Sequence, residues 1–458
     1  MSLSRDVDGR LYGQELASDA IREAFVRGDF PVAVYGLGKM GLPLAGAYAE
    51  VSGNVVGADI DPEVVETVND RDCHVKREPG LDALVGEMVA KERLQATTDT
   101  VGAAEDATVH VVIVPTPITD ENEPDLSILD AVVEDIGEGL DAGDLVIIEC
   151  TVPPRTTTAR VTPRLAKVSG LDREEFGVAF CPERTSSGRA LQDIRGTYPK
   201  VIGGVDEESA QVAAALYEEI NSEGVISVSD ATTAECVKVF EGLYRDVNIA
   251  LANELATFTD EFGVDVREAI EVANTQPFCD IHDPGPGVGG HCIPFYPYFV
   301  IEPFETDAPV LETAREVNDS MPDFTVRKLR EEFDAEGLAM DEASVLILGL
   351  TYRPGVEEIR ASPSLAIAEE LSAAGADVYG VDPILEEFDT FEVAPIELES
   401  VYEYDFDGMV MVTPHEEFDD LNWERLGREV GSVVIDGRAS LDLADKDHRT
   451  YTIGGGYR

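Results

Sequence analysis

The run VAVY at 32–35 leads straight into GLGKMG, which sets Gly36, Gly38 and Gly41 in a GxGxxG turn. A stretch with helical character starts near Leu42. Strand, glycine turn and helix in this order let the turn tighten and let the backbone approach a pyrophosphate at the helix N-terminus. Asp59 closes the next apolar run, about 20 residues on, where an acid binds both ribose hydroxyls of an adenosine half and repels a 2′-phosphate. Ile60, Asp61 and Pro62 follow it, with no arginine to receive a phosphate, so the pattern predicts NAD rather than NADP.

The same alternation continues along the chain. Strand candidates at Pro31–Tyr35, Val55–Asp59, Val109–Val114, Leu145–Cys150, Val178–Cys181 and Val201–Gly204 are separated by amphipathic stretches. Such alternation predicts a parallel sheet with helices on both faces. Residues 231–275 keep a helical period with no strand, and the Gly/Pro-rich segment Asp283–Pro297 interrupts them before the period resumes at Pro309–Glu332. A second series follows at Val345–Leu350, Asp377–Val381, Gly408–Val412 and Val433–Asp436. The expected architecture is therefore α/β, two Rossmann-like doubly wound domains joined by a helical middle domain. Its parts are an N-terminal extension at 1–30, containing a weakly periodic helix from Gly13 to Arg27, a dinucleotide-binding domain at 31–215, a helical middle domain at 216–330 that holds the cysteine loop and a second Rossmann-like domain at 331–458.

Composition narrows the function classes. The chain carries 92 acidic and 34 basic residues, a formal net charge of −58, spread along its length. Binding nucleic acid requires clustered Lys and Arg, so that class is excluded. A carboxylate-dense surface keeps a protein soluble in concentrated salt, where repulsion is screened to within ~3 Å at 1 M. The composition predicts a halophilic protein whose folding and activity need molar salt. No apolar run approaches the ~20 residues of a membrane span, and the first thirty residues lack a secretory apolar core, so a soluble cytoplasmic protein is expected. The six cysteines, at 73, 150, 181, 236, 279 and 292, show no zinc-ligand spacing. No metal site is expected.

One of those cysteines differs from the rest. Cys292 ends the stretch Gly285-Pro286-Gly287-Val288-Gly289-Gly290-His291-Cys292. So little side chain beside a thiol suggests backbone wrapped closely round a phosphate or a sugar, with Gly287, Gly289, Gly290 and His291 at the ligand. A thiol there can add to an aldehyde, and loss of hydride then gives a thioester for water to hydrolyse. Lys238 stands on a largely apolar helix in a chain with only eight lysines. It suits a cation that stabilises an alkoxide, the alternative being a salt bridge to Glu235 or Glu241. Glu183, in CPER at a strand end, can position water or act as a base.

Taken together, these stretches resemble the UDP-glucose/GDP-mannose dehydrogenase family over about residues 31–440. The matching pieces are GLGKMG at 36–41, VPTP at 114–117, ECTVPP at 149–154, CPER at 181–184, the Lys238 helix, GPGVGGHC at 285–292, AREVNDSMP at 314–322, GLTYRPGVEEIRASPS at 349–364 and VDP at 381–383. The resemblance implies an NAD domain, a helical dimer-forming middle and a UDP-binding C-terminal domain. It implies a four-electron oxidation of a sugar C6 alcohol to a carboxylate with two NAD, through Cys292, Lys238 and Glu183. By the same resemblance Thr116, Thr151 and Arg360 are cofactor contacts, and Arg353 stands for the usual lysine of the nucleotide-sugar site. His291 before the cysteine and Ile293-Pro294 after it look more like enzymes of UDP-N-acetylhexosamines, as does AREVNDSMP. The order of preference is UDP-N-acetyl-D-mannosamine, then UDP-N-acetylglucosamine, then UDP-glucose, with a homodimer as the assembly.

Two departures stand out. Gly242 occupies the position of the family's usual Asn one turn after the lysine, and Tyr296 that of its usual Asp four residues after the cysteine. Lesser ones are Cys150 for Ser, Arg155 for Gly and Val64 for a basic residue. A nucleotide-sugar-binding protein with impaired chemistry is the alternative class they raise. A simple hydroxyacid dehydrogenase sharing only the first domain is a third.

Overall fold

Strands buried from end to end build the centre of the first sheet. The computed structural model describes residues 10–14, 16–428 and 431–457, so residues 1–9 and 15 of the expected extension lie outside the described residues. Eight strands pair: β1 Val32–Tyr35, β2 Val55–Ala58, β3 Leu94–Thr97, β4 Val109–Val112, β5 Leu145–Ile148, β6 Gly177–Phe180, β7 Lys200–Gly204 and β8 Val225–Ser227. Their order is β3-β2-β1-β4-β5-β6-β7-β8, so the chain reverses direction across the sheet between β1 and β4. Ligands of open α/β sheets bind at such a switch point, beyond the carboxyl ends of the strands.

Two features differ from the expected sheet. Pairing is parallel except between β6 and β7, which run antiparallel. The 7-residue helix Ala190–Gly196 lies between these strands. The outer strands β3 and β8 are additions, because their partly exposed sequences LQAT and VIS carry no continuous apolar run.

The chain divides into two units, the first comprising residues 1–240 and 298–304, the second 241–297 and 305–458. In the first, the helix Gly41–Ser52 is so rich in small residues that almost all of it is buried. The helix Ser18–Arg27 adds Ile21, Ala24 and Phe25 to the same core. The long helix Ala231–Thr257 spans 27 residues. The second unit holds the continuation of that helix, the glycine-rich loop, the helices Pro309–Asp319 and Met321–Glu336, and a second sheet. Its strands are β9 Ser344–Leu348, β10 Asp377–Val381, β11 Ala394–Pro395, β12 Gly408–Met411, β13 Val433–Asp436, β14 Arg449–Thr452 and β15 Gly456–Tyr457, in the order β11-β10-β9-β12-β13-β14-β15. The two-sheet α/β architecture with a helical middle is the one expected, with β11, β14 and β15 as additions.

Candidate active site

Each glycine of the first turn has a different reason to be glycine. A Cβ on Gly36, at φ +93°, would lie 2.6 Å from the Ile113 carbonyl oxygen, and one on Gly41 would overlap the Gly36 oxygen at 1.9 Å. Gly38 is different, since nothing lies within 4 Å of a Cβ there. The open position is where a phosphate can meet bare backbone, and the two crowded ones hold helix, turn and the end of β4 together. Asp59 is anchored beside them. Its carboxylate accepts the Leu37 N–H at 2.7 Å and the Asp61 N–H at 3.0 Å. The cradle thus fits the dinucleotide that the sequence predicts. Thr116 and Thr151 lie at the ends of β4 and β5, joined by a 2.6 Å hydrogen bond from Thr116 Oγ1 to the Thr151 carbonyl. Cys150 replaces the usual Ser as a weak hydrogen-bonding group, accepting from Val114 N–H at 3.2 Å. Burial pushes its thiol up to about 12, so it stays protonated.

Glu183 is tied to this turn through its neighbour Thr185, whose hydroxyl donates to Glu183 Oε1 at 2.6 Å and lies 3.0 Å from Met40 Sδ. Lys238 meets the Glu183 carbonyl oxygen and approaches Glu183 Oε2 at 3.2 Å. Burial pushes the Glu183 carboxyl up, but the Lys238 ammonium and the Thr185 hydrogen bonds outweigh it and hold the group below the ordinary carboxylate range. The acid that pairs with Lys238 in the first unit is therefore Glu183. Glu235 instead accepts the N–H groups of Arg155 and Thr157.

Sequence reasoning missed what stands behind this pair. A cavity beside Glu183 is also lined by Glu149, Lys200, Tyr217 and Arg184. Glu149, directly after β5, is buried and paired to Lys200 Nζ at 2.7 Å, with the Tyr217 hydroxyl on its other oxygen. Burial dominates and raises the Glu149 carboxyl in spite of the Lys200 ammonium. The one available signal was a lysine in an apolar strand of a lysine-poor chain.

In the second unit the glycine-rich loop is packed as tightly as the first turn. A Cβ on Gly289 would meet the Ala361 oxygen and Tyr352 Cβ, both at 2.7 Å, and one on Gly290 would meet the Tyr352 ring at 2.8 Å. Gly287 and Gly290 adopt φ of +140° and +96°. The Gly290 N–H donates to the Arg360 carbonyl at 2.8 Å. His291 Nε2 lies 2.7 Å from Glu358 Oε2, and the Arg360 guanidinium covers the Phe295 ring at 4.7 Å. Arg360, expected at the cofactor, and half-buried Arg353 thus share the loop 351–360 that backs Gly290 and His291. Cys292 itself is exposed, with its carbonyl accepting the N–H groups of Phe295 and Tyr296 at 3.1 and 2.9 Å.

Four residues that brace this loop or the turn after β9 were not singled out from the sequence. Arg438, after β13, reaches the Gly287 carbonyl at 3.3 Å and leaves no room for a side chain at Gly285. Arg315 and Asn318 of AREVNDSMP, 5% and 1% exposed, are buried structural groups. Both bond Asp246, at 2.5 and 2.8 Å, and Asn318 accepts from Asn253, whose Oδ1 takes the Gly285 N–H at 2.9 Å. Asp382 repeats the device of Asp59, accepting the Leu350 and Thr351 N–H groups at 2.7 and 2.9 Å after β9. Burial raises its carboxyl, but the hydrogen bonds of His415 and Thr351 win and hold it at about 2.

Three family models match consecutive segments: the NAD binding domain of the UDP-glucose/GDP-mannose dehydrogenase family over residues 30–221, its central domain over 232–320 and its UDP binding domain over 346–443. The UDP-N-acetyl-D-mannosamine dehydrogenase of Pyrococcus horikoshii is 38% identical over 409 residues, 89% of this chain and 95% of that protein. The NDP-N-acetyl-D-galactosaminuronic acid dehydrogenase of Ralstonia nicotianae is 34% identical over 422 residues, covering 89% and 95%. Among solved structures, the UDP-D-ManNAc dehydrogenase from Pyrococcus horikoshii matches with a TM-score of 0.86 at 36% identity, covering 93% of this chain and 99% of that one. A match across all three domains sets aside a simple hydroxyacid dehydrogenase. The chain belongs to the UDP-glucose/GDP-mannose dehydrogenase family and is an NAD-dependent nucleotide-sugar dehydrogenase, an oxidoreductase.

Proposed function

We propose that the chain oxidises the C6 alcohol of UDP-N-acetyl-D-mannosamine to the carboxylate, as a cytoplasmic homodimer. The observation that carries the chemistry is an exposed thiol, Cys292, ending a loop whose glycines leave no room for side chains. The choice of sugar rests on the 38% identical relative of that name and on His291 beside the thiol.

NAD, when bound, supplies the hydride acceptor for both oxidations. Gly36, Gly38 and Gly41 seat its pyrophosphate and Asp59 its adenosine ribose, with Thr116 and Thr151 as further contacts. Glu183 takes the C6 hydroxyl proton in the first oxidation, leaving an aldehyde. The Cys292 sulfur, its thiol proton lost to solvent, then adds to the aldehyde carbon, and Lys238 stabilises the alkoxide oxygen so formed. The second oxidation leaves a thioester. Glu183, its first proton released to solvent, takes a proton from the water that attacks that carbon, and the carbon–sulfur bond breaks to give the acid and the Cys292 thiolate. Arg353 and the loop glycines hold the nucleotide sugar. The homodimer rests on the family's helical middle domain, where Tyr244, Leu251, Val272 and Phe278 are exposed apolar side chains, the last 92% exposed.

The test is NADH released at completion from limiting UDP-N-acetyl-D-mannosamine, in ~2 M KCl for strong screening. Two NADH per sugar are expected, falling to one or none with Cys292→Ala. One NADH from the native protein would mean that it stops at the aldehyde. Two NADH only from the N-acetylglucosamine or glucose analogue would move the assignment to that sugar, and none from any would overturn the reading.

A further inference from the structure

The two departures from the family pattern lie against each other. Gly242 stands inside the long helix Ala231–Thr257, where glycine is destabilising. A Cβ at 242 would lie 2.0 Å from Tyr296 Cδ2, 2.7 Å from its Cγ and 2.9 Å from its Cβ. Contacts with Cγ and Cβ, close to the main chain, cannot be relieved by turning the ring. The Tyr296 ring is seated on the bare helix turn and is only 6% exposed. Its own N–H is bonded to the Cys292 carbonyl at 2.9 Å, so ring and thiol sit on one short turn of chain.

We propose that Gly242 and Tyr296 form one interlocked device, in which the Tyr296 ring fixes the position of Cys292 against the helix at Gly242. Tyr296 is then a positioning residue for the nucleophile. Neither change works alone: any side chain at 242 displaces the ring, and a small residue at 296 leaves the glycine turn uncovered. The inference rests on Cys292 being the nucleophile.

Four variants test it: Gly242→Ala, Tyr296→Phe, Tyr296→Leu and the double Gly242→Ala/Tyr296→Leu. The readouts are the rate of Cys292 alkylation by iodoacetamide, followed by peptide mass, with kcat and the KM for NAD. A misplacement of about 1 Å costs on the order of 10²-fold in rate. Gly242→Ala is expected to lower kcat by about that factor and to change the alkylation rate, with the KM for NAD unmoved. Tyr296→Phe should keep both near native values, because it keeps the ring, whereas Tyr296→Leu should not. The double variant should recover part of the loss of Gly242→Ala. Native alkylation and kcat in Gly242→Ala would overturn the proposal, as would equal losses in Tyr296→Phe and Tyr296→Leu, or independent, multiplying losses in the double variant. If Gly242→Ala does not fold, the comparison of Phe with Leu at 296 decides alone. Cys292→Ala that still yields two NADH would instead remove the nucleophile assignment itself.

Discussion

Lys200→Met removes the ammonium 2.7 Å from the Glu149 carboxylate and leaves that acid, 1% exposed, in the core behind Glu183. Removing one partner of a buried pair costs about 3–5 kcal/mol, a large part of the ~5–15 kcal/mol that holds a typical domain together. The loss should depend on pH, with a sign set by Glu149. Burial already raises its carboxyl in the native protein, against the pull of Lys200, and without the lysine it rises further. The folded variant then holds a proton that the unfolded chain releases above about pH 4.3. Stability of such a group is largest below the unfolded value and falls as pH rises towards the folded one. Urea unfolding in ~2 M KCl, chosen for screening, should show most of the loss at pH 8 and distinctly less at pH 5.5. The double variant Glu149→Gln/Lys200→Met, which has no buried charge, should recover much of it. A loss below about 1 kcal/mol at both pH values, or one equal at both, would refute the assignment of a charged buried pair.

Asp59→Ala should raise the KM for NAD by about 10–100-fold, from the ~1.5–3 kcal/mol of a hydrogen bond to a charged group, and narrow the preference over NADP; initial rates with both cofactors measure it, and an unchanged KM for NAD would remove Asp59 from the ribose. With a formal net charge of −58, both melting temperature and activity should climb with KCl towards molar concentrations, and full stability in dilute buffer would contradict the halophilic reading.

Much of the site was legible because its demands on the backbone are local. Gly36 and Gly41 are dictated by atoms of their own turn and of the adjacent strand end, and Asp59 by the end of the next strand. Gly287 and Gly290 have positive φ that any sequence must meet with glycine or strain. Helical and strand periodicities likewise report on single elements, which is why both sheets and the helical middle could be expected. The edge strands β3 and β8 could not, since a half-exposed strand shows itself only once its neighbour is in place.

Pairings between distant residues were a different matter. The sequence offered Glu235 to Lys238, one helical turn away, yet Glu235 is taken up by the N–H groups of Arg155 and Thr157, and the fold sets Glu183, from the loop after β6, beside the lysine. It showed Gly242 and Tyr296 as two separate losses, and packing makes them neighbours. AREVNDSMP suggested a sugar preference, yet Arg315 and Asn318 are spent inside the protein on Asp246 and, through Asn253, on Gly285. The sequence by itself determined the glycine turns, the thiol and the order of elements, because backbone conformation and periodicity are properties of short stretches. Only the tertiary structure decided which charges are buried together and which ring fills which gap, because desolvation and close packing depend on atoms that folding brings in from elsewhere in the chain.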